Sequence, residues 1–352
     1  MSQYWSKLVC NLKPYTPGEQ PQMSNLIKLN TNENPFPPSP AVIAAIDNFD
    51  KSTLRLYPDP NALELKQTLA KMHNLTPQHV FVGNGSDEVL AFAFCAFFKK
   101  KLPLLFPDIT YSFYPVYCNL WDIDYRMIPL KQGFKLKIED YWVENGGIIL
   151  SNPNAPTGRA LTLDKVKSLL DHNTQVVVVI DEAYVDFDAQ SAVELVADYP
   201  NLLVIHTLSK SYSLAGLRVG YAFGDPQLIE GLERIKNSFN SYPLDRLALK
   251  GAVAALLDKE YFENTRKAIQ KLRNFLTSKL LELGFEVVPS SANFVFATHL
   301  KMPAKEIYHK LRENGILIRY FNLPRIDNYL RISIGTQPEM EQLVATLRLL
   351  LE

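Results

Sequence analysis

Residues 176–184 have the sequence VVVVIDEAY, and this stretch decides the fold. Its five leading residues are all apolar, without the alternation of a strand that faces water on one side. Uninterrupted apolar runs of this length are typical of parallel strands buried on both faces. Because Asp181 and Glu182 follow at once, the stretch predicts a buried strand that brings carboxylates to one edge of a sheet.

Similar apolar runs recur on both sides of this stretch, and helical patterns separate most of them. These strand-like runs, several of them apolar throughout, cover residues 80–82, 104–106, 147–151, 202–206 and 217–223. Strands that alternate with helices join into a mostly parallel sheet that the helices cover. We therefore predict an α/β fold whose large domain spans residues 41–240, with a mostly parallel sheet flanked by helices.

The two ends of the chain have a different texture. Residues 1–40 are rich in proline, which lacks an N–H and fixes φ, so we predict an extended N-terminal arm. Ser39 and Pro40 then have the types of a helix cap and a first helical residue. Residues 241–352 combine helical patterns with a few strand candidates, and we predict a smaller C-terminal α+β domain there.

Length and charge exclude several classes of protein. The chain has 352 residues, and its 37 basic and 37 acidic residues give a net charge of 37 − 37 = 0. This balance argues against a nucleic-acid binder that relies on bulk positive charge. With 47% hydrophobic residues it is also unlike a disordered chain. The longest apolar run, residues 89–98, is too short to cross a bilayer, and the first residues lack the apolar core of a signal peptide.

The cysteines indicate a reducing compartment. Cys10, Cys95 and Cys118 are odd in number, form no CxxC motif and have no histidine cluster nearby. A disulfide framework or a structural zinc site would need paired or clustered ligands. We expect a cytoplasmic protein without a metal site.

Polar motifs follow four of the predicted strands, at the end of a parallel sheet where ligands bind. A glycine-rich turn before a helix can hold a phosphate, although many such turns bind nothing. Asp181 suits either a cationic ligand atom or a structural hydrogen-bond network, and Lys210 is either a surface lysine or an amine nucleophile. The asparagines of the second motif can bond their own backbone. The four motifs are GNGSDE (83–88), NPNAPTG (152–158), DEAY (181–184) and TLSKSYSLAGLRVG (207–220).

Together the four motifs supply what pyridoxal phosphate needs. Its aldehyde reacts with a lysine amine, and its pyridine nitrogen needs a carboxylate partner to stay protonated. Its phosphate needs backbone N–H groups and a positive side chain. The chain has no metal-ligand spacing, Walker loop or Ser-His-Asp order that would favour another chemistry.

The chain also resembles a known family, the fold type I pyridoxal-phosphate-dependent aminotransferases. Within that family it is similar to the members that act on histidinol phosphate, and the likeness covers nearly the whole chain. The motifs that carry it are LKPYTPG (12–18), LNTNENP (29–35), LYPDP (56–60), GNGSDE (83–88), FPDITYSFY (106–114), NPNAPTG (152–158), DEAY (181–184), LSKSYSLAGLRVG (208–220) and YLRISIGT (329–336).

This resemblance implies an aminotransferase of histidine biosynthesis. Histidinol phosphate and 2-oxoglutarate would be converted reversibly to imidazole-acetol phosphate and glutamate by a cytoplasmic homodimer, with pyridoxal 5'-phosphate as the cofactor. Three alternatives stay open: an aromatic amino-acid aminotransferase, a pyridoxal-phosphate-dependent phosphothreonine decarboxylase, and a binding module for a phosphate ligand.

The resemblance also implies roles for individual residues. Lys210 would bond to the cofactor aldehyde and carry the proton, Asp181 would pair with the ring nitrogen, and Tyr184 would bond the ring hydroxyl. Tyr57 would reach the phosphate in the neighbouring subunit. Gly85, Ser86 and Asp87 at a helix start, with Ser209 and Arg218, would hold the phosphate, and Tyr111 would stack on the ring. The implied cofactor residues are Gly85, Ser86, Asp87, Tyr111, Asn154, Asp181, Tyr184, Ser209, Lys210, Arg218 and Tyr57.

One departure from the family and one set of substrate residues complete the predictions. The family usually has asparagine before Pro-Thr-Gly to bond the ring hydroxyl, but this chain has Ala155, so we expect Asn154 to take over or Tyr184 to act alone. Arg331 and Arg319 would grip phosphate or carboxylate, with a surface salt bridge as the alternative for Arg319. The implied substrate residues are Tyr15, Asn32, Glu33, Arg319 and Arg331.

Overall fold

A computed structural model of the chain describes residues 2–16, 18–21 and 26–352. Its helices, named α1 to α11 in chain order, are Lys7–Asn11, Pro40–Asp47, Leu63–Met72, Gly85–Phe97, Tyr114–Trp121, Leu163–His172, Pro226–Phe239, Arg246–Leu257, Lys259–Glu282, Ala304–Glu313 and Gln337–Leu351. Its strands, named β1 to β13, are Ile27–Lys28, Val80–Asn84, Leu104–Pro107, Tyr125–Ile128, Gly147–Ser151, Val178–Asp181, Leu202–Thr207, Val219–Gly224, Phe285–Val288, Phe294–His299, Ile316–Leu317, Arg319–Tyr320 and Leu330–Ser333.

The largest sheet is mostly parallel, as predicted. Its seven strands lie in the order β2-β8-β7-β6-β5-β3-β4. Strands β3 to β7 pair in parallel, whereas β8 runs antiparallel to both of its neighbours, β2 and β7. The α/β fold class expected from the uninterrupted apolar runs is therefore confirmed.

Helices cover both faces of this sheet, which explains why its central strands do not alternate. Val178 and Ile180 of β6 pack into the core cluster under α2, α3, α6 and α8. Val179, between them, points the other way into the cluster under α4, α5 and α7. Since both faces exclude water, every position of β6 favours an apolar residue until Asp181 at its carboxyl end.

A second, antiparallel sheet has the order β12-β13-β10-β9 and packs with α9, α10 and α11 around a core of its own. Helix α8, by contrast, contributes Ala248, Ala252 and Leu256 to the large-sheet core. The large-sheet core thus continues past the predicted boundary at residue 240. We propose a boundary after Leu257, because α8 buries its apolar face against α2 and α3.

The N-terminal arm is not extended throughout, which corrects the prediction. Helix α1 forms where the chain has no proline, and the Ser6 side chain accepts from the backbone N–H of Val9 at its start. Strand β1 pairs in parallel with β11. The predicted cap at Ser39 is present, since its side chain accepts from the backbone N–H of Val42.

Among the helices that the structure describes, none has both the length and the apolar character that a membrane crossing requires.

Candidate active site

The four polar motifs meet at one edge of the large sheet. Strands β5, β6 and β7 are parallel, and their last residues are Ser151, Asp181 and Thr207. Strand β2 runs the same way and ends at Asn84, while the reversed β8 begins at the same edge. The registers Asn84↔Val219 and Thr207↔Gly220 fix this arrangement. Residues more than 100 positions apart in sequence thus become neighbours, as expected for ligand sites of open α/β sheets.

Lys210 lies in the loop after β7, and the N-terminal arm holds it. Its Nζ donates to the carbonyl oxygen of Thr31 at 3.2 Å and lies 5.9 Å from the centre of the Tyr184 ring. The side chain of Asn34 donates to the carbonyls of Lys210 and Ser211, at 2.9 and 3.1 Å. The amine is therefore carried by a loop that is fixed from two sides, which suits a nucleophile.

Asp181 is a buried carboxylate at the end of β6, with 3% of its surface exposed. Its Oδ2 accepts from the Tyr114 hydroxyl at 2.8 Å, and its Oδ1 accepts from the backbone N–H of Ala183 at 3.3 Å. Burial raises the pKa of Asp181 to about 6. A carboxylate so placed gains most from a cationic ligand atom, which would restore its ionised form.

A buried ion pair lies beside this carboxylate. His206 Nε2 is 2.8 Å from Glu182 Oε2, and Ser191 and the backbone N–H of Ala192 also donate to the Glu182 carboxylate. Burial alone would lower the pKa of His206, but the Glu182 carboxylate raises it above its ordinary value. This pair ties the ends of β6 and β7 together, directly next to Asp181 and ahead of the Lys210 loop.

The start of α4 forms a narrow concave surface with Arg218. Gly85 has φ +78°, and a Cβ atom there would lie 2.4 Å from Arg218 Nη2. Strand β8 approaches so closely that a Cβ at Gly220 would lie 2.2 Å from the backbone nitrogen of Ser86. The cap residue Asn84 makes no side-chain bond to the first turn. The free N–H groups of this turn and the guanidinium therefore suit an anion.

Asp87 connects this helix start to the neighbouring aromatic side chain. Its carboxylate accepts from the Tyr111 hydroxyl at 3.0 Å and from Arg218 Nη2 at 3.2 Å. Ser209 is buried, and its hydroxyl lies 2.9 Å from that of Thr207. The structure thus brings Tyr111, Asp87 and Arg218 together at the start of α4.

The surroundings of Tyr184 bear on the departure at Ala155. Ala155 is buried beside Tyr184, where it offers no polar atom. The amide nitrogen of Asn154 donates to the Ile109 carbonyl at 3.0 Å and to the Thr157 hydroxyl at 2.9 Å. Both N–H groups of Asn154 therefore donate to partners other than Tyr184. Tyr184 remains as the expected donor to the ring hydroxyl of the cofactor.

Arg319 and Arg331 are directly opposite each other on the antiparallel strands β12 and β13. Both guanidinium groups lie 5.7 Å from the centre of the Phe321 ring. Arg331 donates to the Asn30 carbonyl at 2.8 Å, and its Nε is buried without a partner among the described residues. Two like charges opposite each other are unfavourable, so this pair suits an anion.

The remaining predicted residues take different positions. Tyr15 stacks on Phe113 at 4.7 Å and lies 6.4 Å from Tyr111, so it covers the site. Asn32 is buried and donates to the Tyr184 hydroxyl at 2.9 Å. Hydrogen bonds from Lys28 and Thr31 outweigh burial and hold the pKa of Glu33 below its ordinary value. Tyr57 is 76% exposed and stacks on Tyr242, outside the contacts described above.

Sequence reasoning missed three residues that organise this site: Tyr114, Asn34 and Phe113. Tyr114 holds Asp181, Asn34 holds the Lys210 loop, and Phe113 supports Tyr15. All three lie inside motifs that carry the resemblance, FPDITYSFY and LNTNENP. Aromatic and amide residues that flank recognised site residues were the available signal.

Known proteins match nearly the whole chain. The sequence model of the family "Aminotransferase class I and II" matches residues 24–347. Histidinol-phosphate aminotransferase 1 of Hydrogenovibrio crunogenus is 58% identical over 347 residues, which cover 99% of this chain and 98% of that protein.

Two solved structures share the fold. Histidinol-phosphate aminotransferase of Sinorhizobium meliloti, in complex with pyridoxal-5'-phosphate, has a TM-score of 0.89, 24% identity and 99% coverage of both chains. L-threonine-O-3-phosphate decarboxylase of Porphyromonas gingivalis has a TM-score of 0.79, 22% identity, and coverage of 93% of this chain and 99% of that one.

Proposed function

The chain belongs to the aminotransferase class I and II family, and on that premise we propose that it transfers an amino group between histidinol phosphate and 2-oxoglutarate. The products are imidazole-acetol phosphate and glutamate, and the reaction belongs to histidine biosynthesis. The observation that carries the proposal is the 58% identity over 347 residues with a histidinol-phosphate aminotransferase. In this chain Asp181 ends β6, Tyr184 follows it, and Lys210 lies in the loop after the neighbouring β7.

The residues of this edge fit pyridoxal 5'-phosphate. The start of α4 at Gly85, with Arg218 directly over it, offers an anion site that a side chain at position 85 would fill. Asp181 is a buried carboxylate whose pKa is raised by burial, so a cationic ligand atom beside it would favour its ionised form. Gly85, Ser86, Asp87, Ser209 and Arg218 would hold the phosphate, Asp181 the ring nitrogen, Tyr184 the ring hydroxyl, and Tyr111 the ring face.

When bound, pyridoxal phosphate supplies an electron-withdrawing ring that stabilises negative charge at the α-carbon of the amino substrate. The chain's own groups do the remaining work. The amine of Lys210 takes the proton from that α-carbon as a general base and returns it in the reverse direction. Thr31, through its carbonyl oxygen, orients the Nζ of Lys210 at 3.2 Å.

The charges of the second sheet select the substrate. Arg319 and Arg331, opposite each other, would bind the phosphate of histidinol phosphate, and Arg331 would also bind the distal carboxylate of glutamate. Burial lowers the pKa of Arg331, and an anionic ligand beside the guanidinium would favour its charged form. Tyr15, on its Phe113 support, closes the site above the ligand and excludes water.

The active unit is a homodimer in this proposal. Tyr57 is 76% exposed and is presented by Tyr242, which stacks on it, and by Arg246, whose guanidinium donates to the carbonyls of Leu56 and Tyr57. A solvent-exposed aromatic side chain that is fixed by its neighbours is suited to insert into the site of a partner subunit. There it would reach the cofactor phosphate. Three free cysteines support a reducing cytoplasm as the location.

The visible absorption of the purified protein with pyridoxal phosphate tests the function. We expect an absorption band that changes with histidinol phosphate and returns with 2-oxoglutarate, with glutamate released. Lys210→Ala is the matched variant and should show neither change. If phenylalanine replaces histidinol phosphate equally well, the enzyme is an aromatic amino-acid aminotransferase. Carbon dioxide released from phosphothreonine indicates a decarboxylase, and full ligand-dependent function in Lys210→Ala indicates a binding module.

A further inference from the structure

The hydroxyl of Tyr184 has one side-chain partner among the described residues. Asn32 donates to it through Nδ2 at 2.9 Å. The apolar side chains of Ala155, Ala292 and Phe294 pack against the tyrosine, and the Lys210 amine lies 5.9 Å from the centre of its ring. We propose that Asn32 is a positioning residue, which aims the hydroxyl proton of Tyr184 at the ring of the bound cofactor. This rests on the proposed function, since the ring hydroxyl oxygen of pyridoxal phosphate would be the acceptor.

The direction of the hydrogen bond follows from how Asn32 is held. The Ser333 hydroxyl accepts from the backbone N–H of Asn32 at 2.9 Å and gives its proton to Asn32 Oδ1 at 3.0 Å. Because Oδ1 is engaged by Ser333, the amide turns its Nδ2 toward Tyr184. Asn293 also donates to the Asn32 carbonyl at 2.9 Å, so the residue is fixed from three sides.

The backbone of Asn32 is also special. Its φ is +57°, in the left-handed region that asparagine adopts more readily than most other residues with a side chain. Asn32 is 1% exposed, so this amide is held in place without competition from solvent. A buried residue whose backbone N–H, backbone carbonyl and side-chain amide are all held by hydrogen bonds fits a role in orienting a neighbouring group.

A donated bond from Asn32 determines where the Tyr184 proton goes. A tyrosine hydroxyl has one proton and accepts through its lone pairs. Since Asn32 occupies a lone pair with an N–H, the proton of Tyr184 must point to another acceptor. The described residues give it none, and Ala155 and Asn154 cannot supply the ring with a second donor. The cofactor oxygen is the acceptor that this geometry leaves.

Removal of either residue should then change the same property of the bound cofactor. A ring oxygen that has lost its donor keeps more negative charge and holds the neighbouring proton more tightly. We expect the pKa of the visible band, measured by pH titration of the holoenzyme, to rise by about one pH unit in Tyr184→Phe and in Asn32→Gly. Glycine tolerates the backbone φ of position 32.

The double variant Asn32→Gly with Tyr184→Phe is the decisive measurement. If Asn32 acts through Tyr184, the double variant has the same pKa as Tyr184→Phe alone. Asn32→Asp is the second variant, because it keeps the size of the side chain and accepts the Tyr184 proton instead of directing it outward. It should raise the pKa at least as much as Asn32→Gly.

Asn173→Ala is the matched control for loss of a buried amide. Asn173 is 6% exposed, and its side chain donates to the Leu169 carbonyl at 2.8 Å, at the end of α6. The thermal unfolding temperature of the cofactor-free protein should fall in both Asn173→Ala and Asn32→Gly. The pKa of the visible band should change only in Asn32→Gly. An unmoved pKa in Asn32→Gly and Asn32→Asp, or additive shifts in the double variant, would overturn the inference. A wild type without any visible band would overturn the proposed function, and this inference with it.

Discussion

The hydroxyl of Tyr114 donates to Asp181 Oδ2 at 2.8 Å, and both groups are buried. This bond lowers the pKa of Asp181 against the larger effect of burial. In Tyr114→Phe the pKa of Asp181 should rise further, so less carboxylate is available at neutral pH for the ring nitrogen. We expect about tenfold weaker binding of pyridoxal phosphate at pH 7, measured by absorbance titration.

The pH dependence identifies the cause in this variant. Above pH 9 Asp181 is ionised in both proteins, so the difference in affinity should shrink. Tyr141→Phe is the control, because the Tyr141 hydroxyl is buried without a partner among the described residues. A loss of affinity in Tyr114→Phe that does not depend on pH would contradict this account.

Asp181 should also make the stability of the cofactor-free protein depend on pH. Its pKa is about 6 when folded and 3.8 in the reference state, so the folded protein binds the extra proton between these values. The contribution of Asp181 to the free energy of unfolding is complete below pH 3.8 and is lost as the pH rises through 6. Urea unfolding at pH 5 and pH 8 should show this loss in the wild type, on the order of 1–3 kcal/mol.

Asp181→Asn is the comparison for that measurement. The amide does not titrate, so the pH-dependent part assigned to Asp181 should vanish, whatever the absolute stability of the variant. The same difference between pH 5 and pH 8 in both proteins would show that other groups cause it.

Substitution of Arg319 and substitution of Arg331 should affect the KM values of the two substrates differently. In Arg319→Ala we expect KM for histidinol phosphate to rise about tenfold or more, with a small change for glutamate. In Arg331→Lys both values should rise, because lysine cannot form the bidentate contact. Arg234→Ala is the control, since Arg234 pairs with Glu230 on the exposed face of α7. Equal losses for the two substrates in Arg319→Ala would exclude a phosphate-specific role.

The exposed Tyr57 predicts complementation between two inactive variants. Lys210→Ala lacks its own amine, and Tyr57→Ala lacks the side chain that would cross to the partner. In a mixture allowed to exchange subunits, hybrid dimers contain one intact site, so roughly a quarter of the wild-type activity should return. Each variant alone is the control, and mixtures that stay inactive despite hybrid formation would place Tyr57 outside the partner's site.

The sequence allowed the centre of the large sheet to be predicted well. The run at 147–151 became β5 with the same bounds, because burial on both faces favours apolar residues at successive positions, here Ile148, Ile149 and Leu150. Strand β4, Tyr125–Ile128, went unpredicted, since it lies at the sheet edge with three exposed residues and has no apolar run. Helix α1 was unpredicted because the prolines around it dominate the composition of the arm.

The same distinction holds at the site. Asp181 and Lys210 were predicted because Asp181 directly follows an apolar run and Lys210 lies in the loop after another, and parallel strands end at one edge. The bond from Asn32 to Tyr184 joins residues 152 positions apart in different parts of the fold. No local pattern encodes such a pair, because its geometry depends on a left-handed backbone at Asn32 and on Ser333.

The contacts of the arm with β11 and with Ser333 have a consequence for synthesis on the ribosome. Asn32 contacts Ser333, which is 301 positions later, and β1 pairs with β11. The segment that contacts Lys210 and Tyr184 therefore leaves the ribosome early, but its partners Ser333 and β11 are made only near the end of synthesis. A chain that ends before β11 keeps the contacts of this segment with Lys210 but lacks those with β11 and Ser333, so the catalytic centre is completed through late contacts of high contact order.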